Sequence, residues 1–265
     1  MAGGCALNSA VWLHKAGSAV HLSGNFIGAD DAGKLILDQL ESLGLSHDLR
    51  SDPSVSTPFC QILVRKGDGE RRFILDHKDI QQFNETLIAA SVSKTLAGDY
   101  SHIFVQPYVR RLSQQFLTKT EKTNAWFMTQ DLGPEDSALP YFHCLQLSLS
   151  SQISLEKNSI ENLARPYFVG KMKTLIFTAG ARGVVICERH SSKLETRFFE
   201  PSMVTNPVDT TGCGDAFRAG FMHEYARSSS IDRAAETGIQ WGALNATFFG
   251  SNPIDQPVAP KERNP

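Results

Sequence analysis

The stretch Asn206-Pro-Val-Asp-Thr-Thr-Gly-Cys-Gly-Asp-Ala-Phe-Arg-Ala-Gly-Phe221 decides more about the fold than any other part of the 265-residue chain. Gly212 and Gly214 flank Cys213, and the residues after them repeat apolar side chains at helical spacing, with Phe217, Phe221 and Tyr225 on one face. This is the pattern of a glycine-rich turn that opens a helix. Its backbone N–H groups and the positive end of the helix dipole converge on one point, where an anion can sit with no side chain crowding its approach. Asp215 falls in the first turn beside that point. A carboxylate there has two readings. It can cap the helix by accepting free N–H groups. If the anion is a transferring phosphoryl group, it can instead take the proton of an attacking hydroxyl while the amides hold the charge on the phosphate. Asp209 and Thr210 read equally well as turn formers.

Outward from this stretch, short β-rich runs alternate with amphipathic helical runs, which predicts an α/β fold with a largely parallel sheet. Strands are expected at Ala19–Ser23, His102–Gln106, Asn124–Met128, Cys144–Leu147, Thr174–Thr178 and Gly183–Cys187. Helices are expected at Asn8–Lys15, Ala32–Leu43, Val109–Lys119, Ser154–Phe168, Ala216–Arg227 and Ile231–Phe248. In Ala32–Leu43, Leu35, Ile36, Leu40 and Leu43 form the apolar face, and Gly44 ends the helix. One segment breaks the alternation. Phe59–Val64 and Arg71–Leu75, joined by Lys66-Gly-Asp-Gly-Glu70, read as a β-hairpin that serves either as a lid or as a plain edge hairpin.

Composition narrows the classes of function. With 28 acidic and 26 basic side chains the formal net charge is −2, so no bulk positive charge is available for nucleic acid or an anionic membrane. No apolar run reaches the roughly 18 residues of a bilayer span, and Met1–Asn8 lacks the layout of a signal peptide, so a cytoplasmic location is expected. The five cysteines are widely spaced with no C-x-x-C pair, which gives neither a disulfide framework nor a zinc knuckle. No G-x-G-x-x-G follows an early strand, which speaks against a Rossmann-type dehydrogenase.

Asp209-Thr-Thr-Gly-Cys-Gly-Asp215-Ala-Phe, followed by Ala219-Gly220-Phe221, closely resembles the C-terminal signature of the PfkB, or ribokinase-like, carbohydrate kinase family. Three further segments match in the family's order. Gly3-Gly4-Cys-Ala-Leu-Asn8 is similar to its Gly-Gly-x-x-x-Asn segment, Gly28-Ala-Asp30-Asp-Ala-Gly33 to its Gly-x-Asp-x-x-Gly turn, and Thr178-Ala-Gly180-Ala-Arg-Gly183 to its Thr-x-Gly-x-x-Gly connection. The resemblance implies one ribokinase-like domain over residues 1–265, a three-layer αβα sandwich with a mostly parallel central sheet and a small β lid inserted at about 57–76. It implies ATP-dependent phosphoryl transfer, with Mg2+ and a monovalent cation such as K+, to a hydroxyl of a small sugar or a nucleoside. Residue by residue, Asp215 matches the catalytic base and Gly212, Cys213 and Gly214 the anion hole, Cys213 through its backbone N–H. Gly3, Gly4, Asn8 and Asp30 match acceptor-binding positions, Thr178, Gly180 and Gly183 the nucleotide side, and Asp209 the monovalent cation site. A helix N-cap is the competing reading for Asn8, a loop-stabilising turn for Asp30, and tight-turn glycines for Gly180 and Gly183. In several members the lid also makes a homodimer interface.

Two departures from the family pattern stand out. Members carry an Asn-x-x-Glu pair after the strand placed here at Cys144–Leu147, where this chain has Ser148 and Ser151. Asn158-Ser-Ile-Glu161 has the spacing but reads as a solvated helix face. Members also begin with a strand and an acceptor-binding Asp ahead of the Gly-Gly motif, whereas Met1 stands just before Gly3, so an N-terminally short domain is expected. Two readings of different class follow: a working kinase, favoured because Asp215 and both flanking glycines are kept, and a degenerate, non-catalytic ligand-binding relative. The alignment of the serine loop has its own test. Ser151→Glu is expected to lower the Mg2+ concentration needed for half-maximal turnover, and an unchanged requirement counts against that alignment.

Overall fold

A computed structural model describes residues 1–24, 26–75, 93, 100–106, 123–191 and 193–254. The helix expected at 109–119 and the tail after 254 lie outside them. The chain falls into two compact units, Met1–Ser91 with Val204–Pro265, and Val92–Met203.

In the first unit, helix α1 (Cys5–Lys15) begins directly after the glycine pair, with Gly4 as its N-cap at φ 106°. The helix therefore starts earlier than its periodicity suggests. Asn8 is not a cap: it sits inside the helix and its N–H donates to the Gly4 carbonyl at 2.8 Å. Two short strands, β1 (His21–Leu22) and β2 (Ile27–Gly28), precede α2 (Asp31–Leu43). They pair in parallel with β3 (Ser46–His47) and β4 (Ser51–Asp52), so α2 is the crossover.

Asp30 caps α2 and explains the Gly-x-Asp-x-x-Gly spacing. Its carboxylate accepts the Gly33 N–H at 2.8 Å, the Thr57 N–H at 2.9 Å and the Thr57 hydroxyl at 2.6 Å. Gly33 is required by close approach, because a Cβ there would lie 2.0 Å from the Gly28 carbonyl oxygen. The helix ends, as expected, at Gly44 in the left-handed conformation. Its apolar face differs from the expected one at a single position. Ile36, Leu40 and Leu43 turn inward at i, i+4 and i+7, while Leu35, 100° round the helix, is 44% exposed.

The hairpin is present as β5 (Cys60–Val64) and β6 (Arg71–Leu75), antiparallel with Val64 opposite Arg71. Its turn is closed by the Arg65 N–H on the Glu70 carbonyl and by an ion pair between Arg65 and Asp68. Phe59, Ile62, Leu63, Phe73 and Ile74 are exposed on it. After the second unit the chain returns with α4 (Cys213–Ser228), and Ser230 caps α5 (Ile231–Asn245). The small side chains of Ala216 and Ala219 let α1 approach α4 closely enough to bury Trp12 completely. Trp12 stacks on Trp241 at 5.4 Å and its Nε1 donates to Asn245 Oδ1 at 3.3 Å. Burial of that indole is worth about 3–5 kcal/mol against alanine.

The second unit is a sheet in the order β12-β11-β10-β9-β8-β7. Strands β7 (His102–Val105), β8 (Trp126–Gln130), β9 (Cys144–Ser148) and β10 (Thr174–Thr178) are mutually parallel. Strands β11 (Val184–His190) and β12 (Lys193–Phe199) add on antiparallel. The parallel strands are mostly apolar and buried along their length, with Phe127, Leu145, Leu175 and Phe177 in one core with Ile160 and Ala164 of α3 (Lys157–Ala164). Strand β12 is not among the expected strands, although Lys193, Glu195 and Arg197 alternate with Leu194, Thr196 and Phe198 in the period of two of a half-exposed edge strand. Glu161 is not solvated. It accepts from the Thr196 hydroxyl at 3.3 Å and lies between Lys157 and Arg165.

The three donors on Asp30 pull its carboxyl down to about 2, the Thr57 hydroxyl contributing most. Its folded value lies below the usual carboxylate range, so the stabilisation is full above about pH 4 and is lost as the pH falls toward about 2. Asp30→Asn is expected to lower the melting temperature by a few degrees at pH 7 and to flatten the fall in melting temperature between pH 4 and pH 2, measured by circular dichroism.

Candidate active site

The loop between Asn206 and α4 is shaped by one residue. Gly212 is left-handed at φ 80°, and a Cβ on it would lie 2.2 Å from the Ser251 carbonyl oxygen and 2.6 Å from Ser251 Cα. The two loops touch backbone to backbone, which only glycine permits. Asn245 joins them from α5, its Nδ2 donating to the Thr211 carbonyl at 2.6 Å and to the Gly250 carbonyl at 3.4 Å. Asp209 joins them from the other side. Buried at 4% exposure, it accepts the Thr211 N–H at 2.8 Å and the Gly250 N–H at 3.0 Å.

Asp215 stands in the first turn of α4 with both carboxylate oxygens held. Asn8 Nδ2 donates to Oδ2 at 2.7 Å and Arg218 Nη1 to Oδ1 at 3.1 Å. The Ser9 hydroxyl donates to the Asp215 backbone carbonyl at 3.1 Å and itself receives Arg218 Nη1 at 3.0 Å. Asn8 is committed at both ends of its amide, since Oδ1 accepts from the Ser251 hydroxyl at 2.9 Å and from Asn252 Nδ2 at 3.0 Å. Gly3 lies against Ser251 Oγ and Asn8 Oδ1. Gly3, Gly4, Asn8, Asp209, Gly212, Cys213, Gly214 and Asp215 are thus gathered around one helix start. Asp30 is engaged by Thr57 and Gly33, and by none of these residues.

The hairpin turn reaches the same loop. Thr210 donates its N–H and its hydroxyl to the Gly69 carbonyl at 3.1 and 2.8 Å, and its hydroxyl accepts from Arg71 Nη1 at 2.9 Å. At Cys213, the N–H makes a long 3.3 Å bond to the Thr210 carbonyl. Burial pushes the Cys213 thiol up to about 11, with the charge of Arg71 and the Asn245 amide opposing that shift. The thiol is therefore protonated at neutral pH and is a poor nucleophile.

In the second unit, Thr178 ends β10, and its hydroxyl lies 3.4 Å from the Leu147 carbonyl. Gly180 and Gly183 are left-handed at φ 59° and 97° and close a tight turn in which the Ala179 N–H meets the Gly183 carbonyl at 2.9 Å. Arg182 anchors the serine loop through the carbonyls of Ser150 and Ile153, both at 2.8 Å. Arg218, Ser9, Asn245 and Asn252 were not singled out by the motifs. The available signal was Arg218, a charged residue one turn from Asp215 on an apolar helix.

A sequence profile of the pfkB family carbohydrate kinases matches residues 1–131 and 145–257. The chain is 25% identical over 264 residues to the 2-dehydro-3-deoxygluconokinase of Haemophilus influenzae, an alignment covering 89% of this chain and 83% of that one. It is 24% identical over 244 residues to the adenosine kinase of Schizosaccharomyces pombe, covering 80% and 69%. Its fold matches the structure of a ribokinase from Giardia lamblia with a TM-score of 0.77 at 18% identity, over 94% of this chain and 84% of that one.

The loop geometry has a direct test. Gly212→Ala is expected to lower the melting temperature, since the left-handed backbone alone costs about 1–2 kcal/mol with a Cβ and Ser251 must also move. Alkylation of Cys213 near pH 7.5, followed by peptide mass spectrometry, is expected to be slow in the native protein and fast after denaturation. Rapid native alkylation would show that burial does not suppress the thiolate.

Proposed function

The chain belongs to the pfkB family of carbohydrate kinases, and from that premise we propose that it transfers a phosphoryl group from ATP to a hydroxyl of a small sugar or related acceptor. The reading rests on one observation: a carboxylate at the N-terminus of α4, held at both oxygens, beside a glycine turn packed backbone to backbone on Ser251. ATP supplies the phosphoryl group and leaves as ADP. Asp215 takes the proton of the acceptor hydroxyl as that oxygen bonds to phosphorus. The N–H groups of Gly212, Cys213 and Gly214 face the charge spread over the phosphoryl oxygens, and the dipole of α4 adds to them. The long bond from Cys213 N–H to Thr210 is one an incoming anion can displace. Gly3, Gly4, Asn8 and Asp30 are assigned to the acceptor side and Thr178, Gly180 and Gly183 to the nucleotide, on the strength of their motifs.

The residues fit the accessory ions unequally. Asp209 is buried with two backbone donors, and Thr211 Oγ1 is buried beside it with no hydrogen-bond partner among the described residues. That oxygen set suits a monovalent cation such as K+. Among the described residues no group of three or more His, Cys, Asp or Glu side chains is gathered to hold a metal. The described residues thus gather no side-chain cage for Mg2+, and the ion would be held in part by the phosphate oxygens of ATP. The exposed apolar side chains of the hairpin support its reading as a lid that also joins two copies of the chain.

The names of the relatives point to three acceptor classes: neutral sugars, sugar acids and nucleosides. A coupled ADP assay with ribose, fructose, 2-dehydro-3-deoxygluconate and adenosine is expected to show turnover with at least one of them. Asp215→Asn is expected to stay folded, with a melting temperature lowered because Arg218 loses its counter-charge, and to lose about 10²- to 10⁴-fold in kcat. Unchanged turnover in that variant sinks the assignment of the base. A wild-type chain that binds nucleotide yet turns over none of the acceptors favours the non-catalytic relative.

A further inference from the structure

Arg218 is the most unusual side chain in the first unit. It lies in the middle of α4 at 2% exposure, among the largest fully buried side chains of the described residues. Charged side chains are almost never buried so completely without a partner, and an apolar residue at such a position is usually as stabilising or more so. Core packing therefore does not account for an arginine here. Its surroundings do. Nη1 meets Asp215 Oδ1 at 3.1 Å and Ser9 Oγ at 3.0 Å, and Ser9 Oγ returns to the Asp215 backbone carbonyl at 3.1 Å. The guanidinium thus reads the carboxylate of Asp215 directly and its main chain through Ser9. With Asn8 on Oδ2 at 2.7 Å, the Asp215 side chain has no free rotation left about its last bond.

We propose that Arg218 is a positioning residue for phosphoryl transfer. It holds the carboxylate of Asp215 in the one orientation that meets the acceptor hydroxyl, and it locks α1 to α4 at that point through Ser9. The helical spacing i, i+3 places the two side chains on one face, and the buried guanidinium balances the carboxylate charge where water screens it poorly. Arg218 itself touches neither substrate nor phosphate. Lysine is not its equivalent. A planar guanidinium presents its nitrogens in a fixed, pre-organised fork, and an ammonium on a flexible stem does not hold that orientation.

The proposal rests on the kinase reading, and the experiment separates the two. Steady-state kinetics are measured for wild type, Arg218→Lys, Arg218→Met, Asp215→Asn and Asp215→Asn/Arg218→Met, with Mg2+-ATP and whichever panel acceptor wild type uses. Melting temperatures are recorded alongside. Misplacement of a reacting group by about 1 Å costs on the order of 100-fold, so kcat is expected to fall about tenfold in Arg218→Lys and about 100-fold in Arg218→Met. The KM values for ATP and acceptor are expected to stay within about twofold, because binding does not pass through this pair. In the Asp215→Asn background, Arg218→Met is expected to cause no further loss of kcat.

A folded Arg218→Met variant with wild-type kcat overturns the proposal, as does a raised KM at constant kcat. Loss of kcat only in proportion to the unfolded fraction does the same. If Arg218→Met does not fold, Arg218→Lys decides: a folded lysine variant with wild-type kcat overturns the role. If Asp215→Asn keeps full turnover, the kinase assignment of the base fails whatever Arg218 does.

Discussion

Everything around the candidate site depends on how Asp215 is held. A carboxylate in the first turn of a helix, with 12% of its side chain exposed, needs donors from elsewhere in the chain. It receives them from Asn8 and from Arg218. Removing one partner of a buried ion pair costs about 3–5 kcal/mol; the Arg218–Asp215 pair lies within α4, and α1 adds the neutral donors Asn8 and Ser9 around it. Ser9, Ser251 and Asn252 follow from it. They satisfy the remaining polar atoms that the pairing buries, and each bonds to Asn8, Arg218 or the Asp215 main chain.

The same loop is constrained from three further directions. Gly212 meets Ser251 so closely that no side chain fits between them, Asp209 and Asn245 each bridge the two loops, and the hairpin turn grips Thr210 through Gly69 and Arg71. A backbone anion cradle, the role proposed for this loop, must be rigid before the anion arrives, because amides that have to reorient lose much of their advantage over water. These contacts fix the loop from several sides.

Some of this was readable in the order of residues. Gly28-Ala-Asp30-Asp-Ala-Gly33 states a capped helix start locally, since the cap bond spans three residues and the glycine is needed within the same turn. Gly44 as the end of α2 and the β5–β6 hairpin are local in the same sense. The edge strand β12 carries the same kind of local signal in the alternation from Lys193 to Phe198, whereas Leu35 is exposed because a helix in contact on one narrow stripe leaves neighbouring apolar positions in water. Glu161 looked solvated because its partner Thr196 lies in a distant strand.

By itself the sequence determined the family and the glycine turn that opens α4, because those are written in short spacings that local backbone physics enforces, although the helix begins at Cys213, three residues before the expected start. Only the tertiary structure decided what surrounds Asp215. The bonds from Asn8, Ser9 and Arg218 to Asp215 join residues about 200 positions apart or bury a cation inside a helix, and neither kind of partner leaves a periodic mark. Asn8 is no cap, its amide being held by Asp215 and Ser251, and Arg218 is the buried counter-charge of Asp215. The reason is that burial and polar satisfaction are properties of packed elements, not of neighbours along the chain.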